Sequence, residues 1–377
     1  MRFLILSLSC LLVTQFADAQ TFDILETHIS LKVDIDNEEI RGTCSHSILK
    51  VNKPEKIQLM LEDELSVDSV VIDNNSVNFT HSGQDLEIDI DGINSGSDTL
   101  LVHISYQGSP PDDPSGFGGF YFRNGYAFNM GVGFSVKPHS YGRAWFPCVD
   151  DFREKYFLSF SIETEKDEKA LCNGILIDTS HTQNSIFWKY ELRQPIPAYL
   201  TSVAVGDYEI LEDVYSAENG KEIPLRYGIY PGDSTRLTNS FRNIDQAIEA
   251  FEDHYGEHRF DLIGYVTVPF SSGAMEHASN IAYPKAFVNG NLNGESLYAH
   301  ELSHHWWGDL VTCETAEDMW INEGWASYSE SLFMEKVYGR QSYLDYNKNV
   351  LNTVLRFAHI ADTGFYPGTR LCGPEAD

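Results

Sequence analysis

The stretch from residue 300 to residue 308 reads HELSHHWWG and contains the pattern H-E-x-x-H, formed by His300, Glu301 and His304. Residues four apart lie on one face of a helix, so His300 and His304 can present both imidazoles to one metal ion. Glu301 lies one step round the helix, where it can accept a proton from a water that the metal activates. Chance yields the pattern in a chain of this length with odds on the order of one per cent. A metal-binding helix is therefore favoured over a solvated helix face with incidental histidines.

A third metal ligand is expected in the next helical stretch, which reads WINEGW from residue 320 to residue 325. Glu323 follows His304 by nineteen positions. It completes a set of two histidines and one glutamate, which leaves a fourth position open for water. Mixed nitrogen and oxygen ligands in tetrahedral geometry favour zinc, so we expect one Zn²⁺ per chain. Glu330, seven residues further on, either accepts a hydrogen bond from a ligand histidine or is a surface carboxylate.

Residues 20–207 are predicted to form an all-β sandwich. Hydrophobic and polar residues alternate in segments such as His28–Ile35 and Leu101–Tyr106, and turn residues separate the segments. Residues 110–119 are rich in proline and glycine and are expected to form a long surface loop. Three cysteines fall in strand-like sequence and are predicted to be small core residues rather than disulfide partners: Cys44, Cys148 and Cys172.

Residues 208–377 are predicted to belong to a second, mainly helical domain. Apolar residues from Leu237 to Phe251 fall on one helical stripe. Asn293 is a candidate N-cap for the helix that carries His300 and His304. The pattern predicts a strand at residues 262–268 and helices at about residues 294–309, 321–338 and 341–359.

The charge of the chain excludes some classes of partner. Lys and Arg number 26 against 56 Asp and Glu, which gives 26 − 56 = −30. Such an acidic protein repels phosphate backbones and anionic lipid headgroups, so nucleic-acid and membrane-surface functions are disfavoured. A hydrophobic content of 42% is nevertheless sufficient for real cores, and 377 residues suggest two domains or two and part of a third.

The N-terminal residues have the features of a secretory signal peptide. Arg2 supplies a positive charge, residues 3–13 form an apolar run, and Ala17-Asp18-Ala19 fits a cleavage box. The apolar run is too short to span a bilayer, so no membrane span is expected in the mature chain. We expect a signal peptide over residues 1–19, cleavage near Ala19, and export to the periplasm or the extracellular space.

Two further stretches add to the metal motif: Gly273-Ala274-Met275-Glu276-His277 and the sequence RAWFPCVD at residues 143–150. Together with the two motif helices, these stretches closely resemble the aminopeptidase N family of gluzincin metallopeptidases. The resemblance implies an α+β multidomain fold, in which an N-terminal all-β sandwich precedes a thermolysin-like, mainly helical catalytic domain. It also implies exopeptidase action on peptides that have a free N-terminus.

The resemblance assigns substrate binding to residues 273–276. The loop glutamate of that family, here Glu276, binds the free α-amino group of the substrate. A buried carboxylate near a dication can pair with an ammonium group and so select the first residue of a peptide. Gly273 and Ala274 can offer backbone edges to an extended peptide, and Met275 belongs to the same substrate loop.

Three features depart from the family pattern. His277 replaces the usual asparagine, so it can alter how Glu276 is held or add a titrating group beside it. Residues 137–140 lack the carboxylate that many members use as a second amine anchor. The family tyrosine that stabilises the oxyanion has no match after Glu323, with Tyr366 as a less favoured candidate. The catalytic domain is therefore expected to be truncated at its C-terminal end.

These features predict a zinc-dependent aminopeptidase in which Glu301 is the general base. Two alternatives stay open. An endopeptidase would use the same metal chemistry, with Glu276 as an ordinary loop carboxylate. A non-catalytic fragment that binds zinc and peptides would account for the missing oxyanion tyrosine.

Overall fold

The computed structural model describes residues 21–52, 54–93 and 97–358. The predicted signal peptide at residues 1–19 and the candidate Tyr366 lie outside these ranges. Within them, none of the helices combines the length and the hydrophobicity that crossing a membrane requires.

The N-terminal part of the chain is built from β-strands, as the alternating sequence pattern predicts. In the first strand, for example, Ile29, Leu31 and Val33 are buried while Lys32 is exposed. The strands are β1 Phe22–Asp34, β2 Glu39–Lys50, β3 Lys56–Met60, β4 Leu65–Ile72, β5 Asn75–Ser76, β6 Phe79–Ser82, β7 Asp85–Asp89, β8 Thr99–Gly108, β9 Gly118–Arg123, β10 Tyr126–Gly133, β11 Tyr156–Glu165, β12 Lys169–Cys172, β13 Ile175–His181, β14 Ser185–Ile196 and β15 Val203–Gly206.

These strands form three sheets. The largest has the order β13-β14-β11-β1-β2-β8-β4-β5, and its β1–β11 pair is parallel. A three-stranded sheet, β3-β7-β6, and a four-stranded sheet, β12-β15-β10-β9, share one apolar core with it. Cys44, Cys148 and Cys172 are buried in that core as free thiols, as predicted.

The second part combines a small sheet with helices. The sheet has the order β16-β17-β18-β19, and both pairs that involve β18 are parallel. The apolar stripe from Leu237 to Phe251 is divided between two helices rather than one, and its members are buried against this sheet. The elements are β16 Glu209–Ser216, β17 Glu222–Ile229, α1 Ser234–Ser240, α2 Ile244–Tyr255, β18 Ile263–Val268, β19 Ile281–Pro284, α3 Glu295–Ser303, α4 Trp320–Tyr338 and α5 Arg340–Thr353, which continues as a π-helical turn, Val354–Ala358.

Two details of the predicted motif helix are wrong. Helix α3 ends at Ser303 instead of residue 309, because the next amides bond three residues back: His305 N–H donates to the Leu302 carbonyl over 3.1 Å. The N-cap is Gly294 and not Asn293, whose side-chain oxygen instead accepts a hydrogen bond from Asn289. The predicted boundary between the two domains, at residue 207, stays a prediction.

Candidate metal centre

The metal centre is built by two packed helices, α3 and α4. His300 lies in α3, and His304 directly follows it in a helical conformation (φ −60°, ψ −24°), so the two imidazoles remain on one face. Their ring centroids are 5.0 Å apart. Glu323 lies in the first turn of α4, where the helix dipole stabilises a carboxylate.

The three predicted metal ligands converge. The Glu323 carboxylate lies 3.2 Å from His300 Nε2 and 3.9 Å from His304 Nε2. All three potential donor atoms lie within 4.8 Å of one another. The structure thus brings together the two-histidine, one-glutamate set that the sequence predicts.

The hydrogen bonds of the two imidazoles fit a metal site. His300 Nδ1 donates to Glu330 over 2.8 Å, and His304 Nδ1 donates to the Trp307 carbonyl over 2.9 Å. Each ring therefore directs its Nε2 towards the shared position, the arrangement that orients metal-ligating histidines. Burial lowers the pKa of His300, but its hydrogen bonds to Glu323 and Glu330 raise it more strongly, to about 11. The carboxylates that stabilise a positive charge on His300 would also stabilise a divalent cation, so these residues fit zinc.

Two buried carboxylates stand beside the metal ligands. Glu301 is 5% exposed and Glu276 is 7% exposed, and each places an oxygen within 4.8 Å of an imidazole nitrogen of His304. Burial raises the pKa of both groups above the usual range of a glutamate. Both carboxyl groups consequently hold a proton more strongly than exposed glutamates do.

The substrate loop predicted at residues 273–276 lies against both parts of the protein. Met275 exchanges two backbone hydrogen bonds with Ala282 of β19, at 3.0 and 2.9 Å. Gly273 has φ +159°, and a Cβ placed there would lie 2.9 Å from the Phe117 ring. The loop is therefore anchored on one side to the catalytic sheet and on the other to the proline- and glycine-rich loop of the β part.

All eight predicted site residues line one cavity of about 340 Å³. They are Gly273, Ala274, Met275, Glu276, His300, Glu301, His304 and Glu323. Hydrophobic side chains supply most of the remaining wall: Phe117, Val132, Phe134, Phe152, Leu297, Ala316 and Met319. A concave apolar cavity with a few convergent polar groups is typical of a small-ligand or peptide site.

Two protein-family models match the chain. The family description "Peptidase M1 N-terminal domain" matches residues 23–200, and "Peptidase family M1 domain" matches residues 236–362. The chain belongs to peptidase family M1. The metal motif and the substrate loop of this M1 chain both lie within the second match.

Named relatives cover most of the M1 chain. It is 26% identical over 321 residues to Aminopeptidase N of Lactococcus lactis subsp. lactis, which covers 80% of this chain and 36% of that protein. It is 24% identical to Leukotriene A-4 hydrolase of Xenopus laevis, with coverage of 87% and 54%. The M1 chain thus spans about a third to about half of the length of these relatives.

Solved structures share the fold. A mutant M1 zinc metallopeptidase of Deinococcus radiodurans, bound to a Tyr-Ser-Ala substrate, superimposes with a TM-score of 0.78 at 19% identity and covers 90% of this chain and 76% of that one. Native yeast LTA4 hydrolase gives a TM-score of 0.74 at 22% identity, with coverage of 90% and 52%. The predicted order of a β-rich N-terminal part and a mainly helical catalytic part is confirmed.

His277 of this M1 chain is a buried neutral residue. Its Nε2 lies 3.3 Å from the Asn129 amide nitrogen of the β part. Burial lowers the pKa of His277 to about 3. The expectation that it adds a titrating group beside Glu276 is therefore wrong near neutral pH, and its contact with the β part is its structural role.

Sequence reasoning missed three contributors to the site. Phe117 and Phe134 form part of the cavity wall, and their rings lie 5.2 Å apart. Tyr346 donates a hydrogen bond to Glu330, the partner of His300. The proline- and glycine-rich loop was the only sequence signal near Phe117, and nothing in the sequence indicated Tyr346. Within the described ranges no tyrosine lines the cavity, and Tyr366 lies outside them, so the expectation about the oxyanion tyrosine stays a prediction.

Proposed function

We propose that this chain forms the metal centre of a zinc-dependent aminopeptidase that removes the first residue of peptides. The observation that carries the proposal is the convergence of all eight predicted site residues on one cavity. The names of the relatives give further support, since Aminopeptidase N proteins recur among them. The Deinococcus structure was determined with a three-residue peptide substrate, which is compatible with the same substrate class.

The metal ligands and Glu301 have separate chemical roles in the proposed reaction. His300, His304 and Glu323 would hold zinc, which when bound polarises a water molecule and the scissile carbonyl. Glu301 accepts the proton of that water and returns it to the leaving amine. Its raised pKa, caused by burial, suits both halves of this transfer.

Glu276 would fix the register of the substrate. Its carboxylate is buried at the end of the cavity wall formed by Gly273 and Ala274. An ammonium group is the natural partner of a buried carboxylate, and pairing places the first peptide bond beside Glu301. A blocked N-terminus leaves the carboxylate without a partner and is selected against.

Glu301→Gln removes the proposed general base. Because glutamine cannot accept the proton, we expect turnover of leucyl-arylamide to fall about 10²- to 10⁴-fold while zinc stays bound at one ion per chain. The assay combines initial rates with elemental analysis of the metal. The control variant is Glu314→Gln, an exposed glutamate outside the cavity, which should retain wild-type rates. Turnover that resists chelation, or full activity of the Glu301 variant, would refute the proposal.

One alternative function has a specific observation in its favour. Because no described tyrosine lines the cavity, a chain that binds zinc and peptides without hydrolysing them is the second candidate. It predicts stoichiometric zinc and saturable peptide binding with no measurable turnover. An endopeptidase is distinguished by a different result, namely equal cleavage of N-acetylated and free peptides.

A further inference from the structure

We propose that Tyr346 is a positioning residue of the metal centre, which holds the Glu330 carboxylate in the orientation that fixes His300. This inference rests on the proposed zinc site but not on peptidase activity. It assigns a role to helix α5, which contributes no residue to the cavity wall.

Glu330 uses both carboxylate oxygens in the described structure. Oε1 accepts from His300 Nδ1 over 2.8 Å, and Oε2 accepts from the Tyr346 hydroxyl. The side chains of His300 and Glu330 are 16% and 17% exposed, so water has limited access to replace either partner. A chain of three side chains thus connects α5 through α4 to a metal ligand on α3.

The Tyr346 side chain also lies beside α3. Burial raises the pKa of Tyr346, and the nearby Ser296 side chain opposes that rise. Ser296 precedes His300 by four residues, so both side chains lie on one face of α3. The Tyr346 side chain therefore bonds to α4 through Glu330 and lies beside α3 near Ser296.

The hydrogen bond from Tyr346 limits how the Glu330 carboxylate can rotate. With one hydrogen bond, Glu330 can rotate about its terminal torsion and still contact His300 in several geometries. A second bond from Tyr346 restricts that rotation and keeps Oε1 in the plane that the His300 ring requires. The orientation of the His300 ring that directs Nε2 towards Glu323 is stabilised as a result, which raises metal affinity.

The alternative explanation is that the Tyr346 hydrogen bond only attaches α5 to the protein. Every residue of α5 is at least partly exposed, so such an attachment is physically reasonable. The two explanations differ in what the hydroxyl changes. Attachment alone alters the stability of α5, whereas positioning alters the zinc dissociation constant through Glu330.

The decisive experiment measures zinc affinity of the full chain by competition with a chelating dye. Tyr346→Phe removes only the hydroxyl, and we expect it to raise the zinc Kd about 3- to 10-fold, less than the 10- to 100-fold typical of a direct partner of a ligand. The matched control is Tyr343→Phe on the same helix, whose ring packs against the Arg340 guanidinium, while the two oxygens of Glu330 bond to His300 and Tyr346. This control should leave the Kd unchanged. Equal Kd values for wild type and Tyr346→Phe, or equal increases in both variants, would overturn the inference.

A double-mutant cycle tests whether Tyr346 acts through Glu330. In a Glu330→Ala background the hydroxyl has nothing to position, so adding Tyr346→Phe should leave the Kd unchanged. An undiminished effect in that background would overturn the inference. Ser296→Ala, which removes the polar neighbour of Tyr346 on α3, is expected to raise the Kd by a smaller factor and serves if Tyr346→Phe folds poorly. Failure of the wild type to bind zinc would instead overturn the metal centre itself.

Discussion

His46 shows at the scale of one residue how burial fixes the charge of a histidine. It lies in β2 with no exposed surface. Its Nδ1 accepts from the Thr27 hydroxyl over 2.9 Å, and its Nε2 donates to the Pro147 carbonyl over 3.0 Å. Burial lowers the pKa of His46 to about 4, against a smaller opposing effect of the Pro147 carbonyl. The neutral ring is therefore part of the folded state, unlike His300, whose carboxylate partners favour the charged form.

The low pKa of His46 in the folded chain predicts how the free energy of unfolding depends on pH. The unfolded chain protonates His46 near pH 6.5, whereas the folded chain does so near pH 4. Stability is therefore fully present above pH 6.5 and is lost as the pH falls towards 4, by about 1.4 kcal/mol per pH unit and about 3 kcal/mol in total. His46→Gln removes this contribution, so the free energy of unfolding of the chelated protein should fall less steeply between pH 6.5 and pH 4.

Urea denaturation at a series of pH values measures that slope. The control is His103→Gln, which removes a histidine hydrogen-bonded to Ser45 on the more exposed side of the large sheet. This control should retain the wild-type slope. If His46→Gln and the wild type lose stability in parallel, the assignment of a buried neutral His46 is wrong.

At the scale of elements, the apolar cavity wall predicts the selectivity of the site. Phe134 follows β10 directly, is 52% exposed, and contacts Phe117, which in turn packs on Gly273 of the substrate loop. A large apolar first residue of a peptide would bury surface against these rings. We expect Phe134→Ala to lower kcat/KM about 5- to 30-fold for leucyl-arylamide relative to alanyl-arylamide, equivalent to about 1–2 kcal/mol.

The matched control for this prediction is Phe157→Ala. Phe157 is 48% exposed and lies on β11 of the large sheet, outside the cavity. Removal of its ring should leave the ratio of the two substrates unchanged. An unchanged ratio in Phe134→Ala would show that this wall does not contact the first side chain.

The elements also show which parts of the fold a sequence can specify. Helix α4 was predicted at residues 321–338 and occupies Trp320–Tyr338, because apolar periodicity and the break at Gly339 are local signals. The end of α3 depends instead on distant contacts, since the buried Trp306 donates from its indole to the Gly256 carbonyl over 2.8 Å. That contact fixes the path of the chain after Ser303 and has no local signature.

The residues of the candidate site also differ in whether the sequence could predict them. His300, His304 and Glu323 could be predicted because their spacing encodes helical geometry. Glu276 required the family resemblance, since a single glutamate in a loop has no periodicity. Tyr346 could not be predicted, because its distance from Glu330 is set by the packing of α5 against α4.

At the scale of the whole molecule, the substrate loop is held between the β part and the catalytic part. The Asn173 amide donates to the Ala278 carbonyl over 2.6 Å, and Gly174 N–H donates to the Ser279 hydroxyl over 2.7 Å. These bonds are buried, so breaking the contact between the two parts would leave polar groups unpaired. The β part therefore determines the position of Glu276, although it contains no predicted metal ligand or base.

The same organisation predicts that zinc stabilises the molecule through its two motif helices. The ligands lie on α3, directly after it, and on α4, so a bound ion links segments that are nineteen positions apart in the sequence, from His304 to Glu323. Zinc at 100 times its Kd should add about 2.7 kcal/mol to the free energy of unfolding, provided that the unfolded chain does not bind it. Chelation should consequently lower the thermal midpoint of the wild type and leave that of His304→Ala almost unchanged.

His28→Ala, which removes a histidine of the large sheet bonded to Ser159, is the control and should respond to chelation like the wild type. A midpoint that chelation shifts equally in the wild type and in His304→Ala would mean that the stabilising ion binds elsewhere.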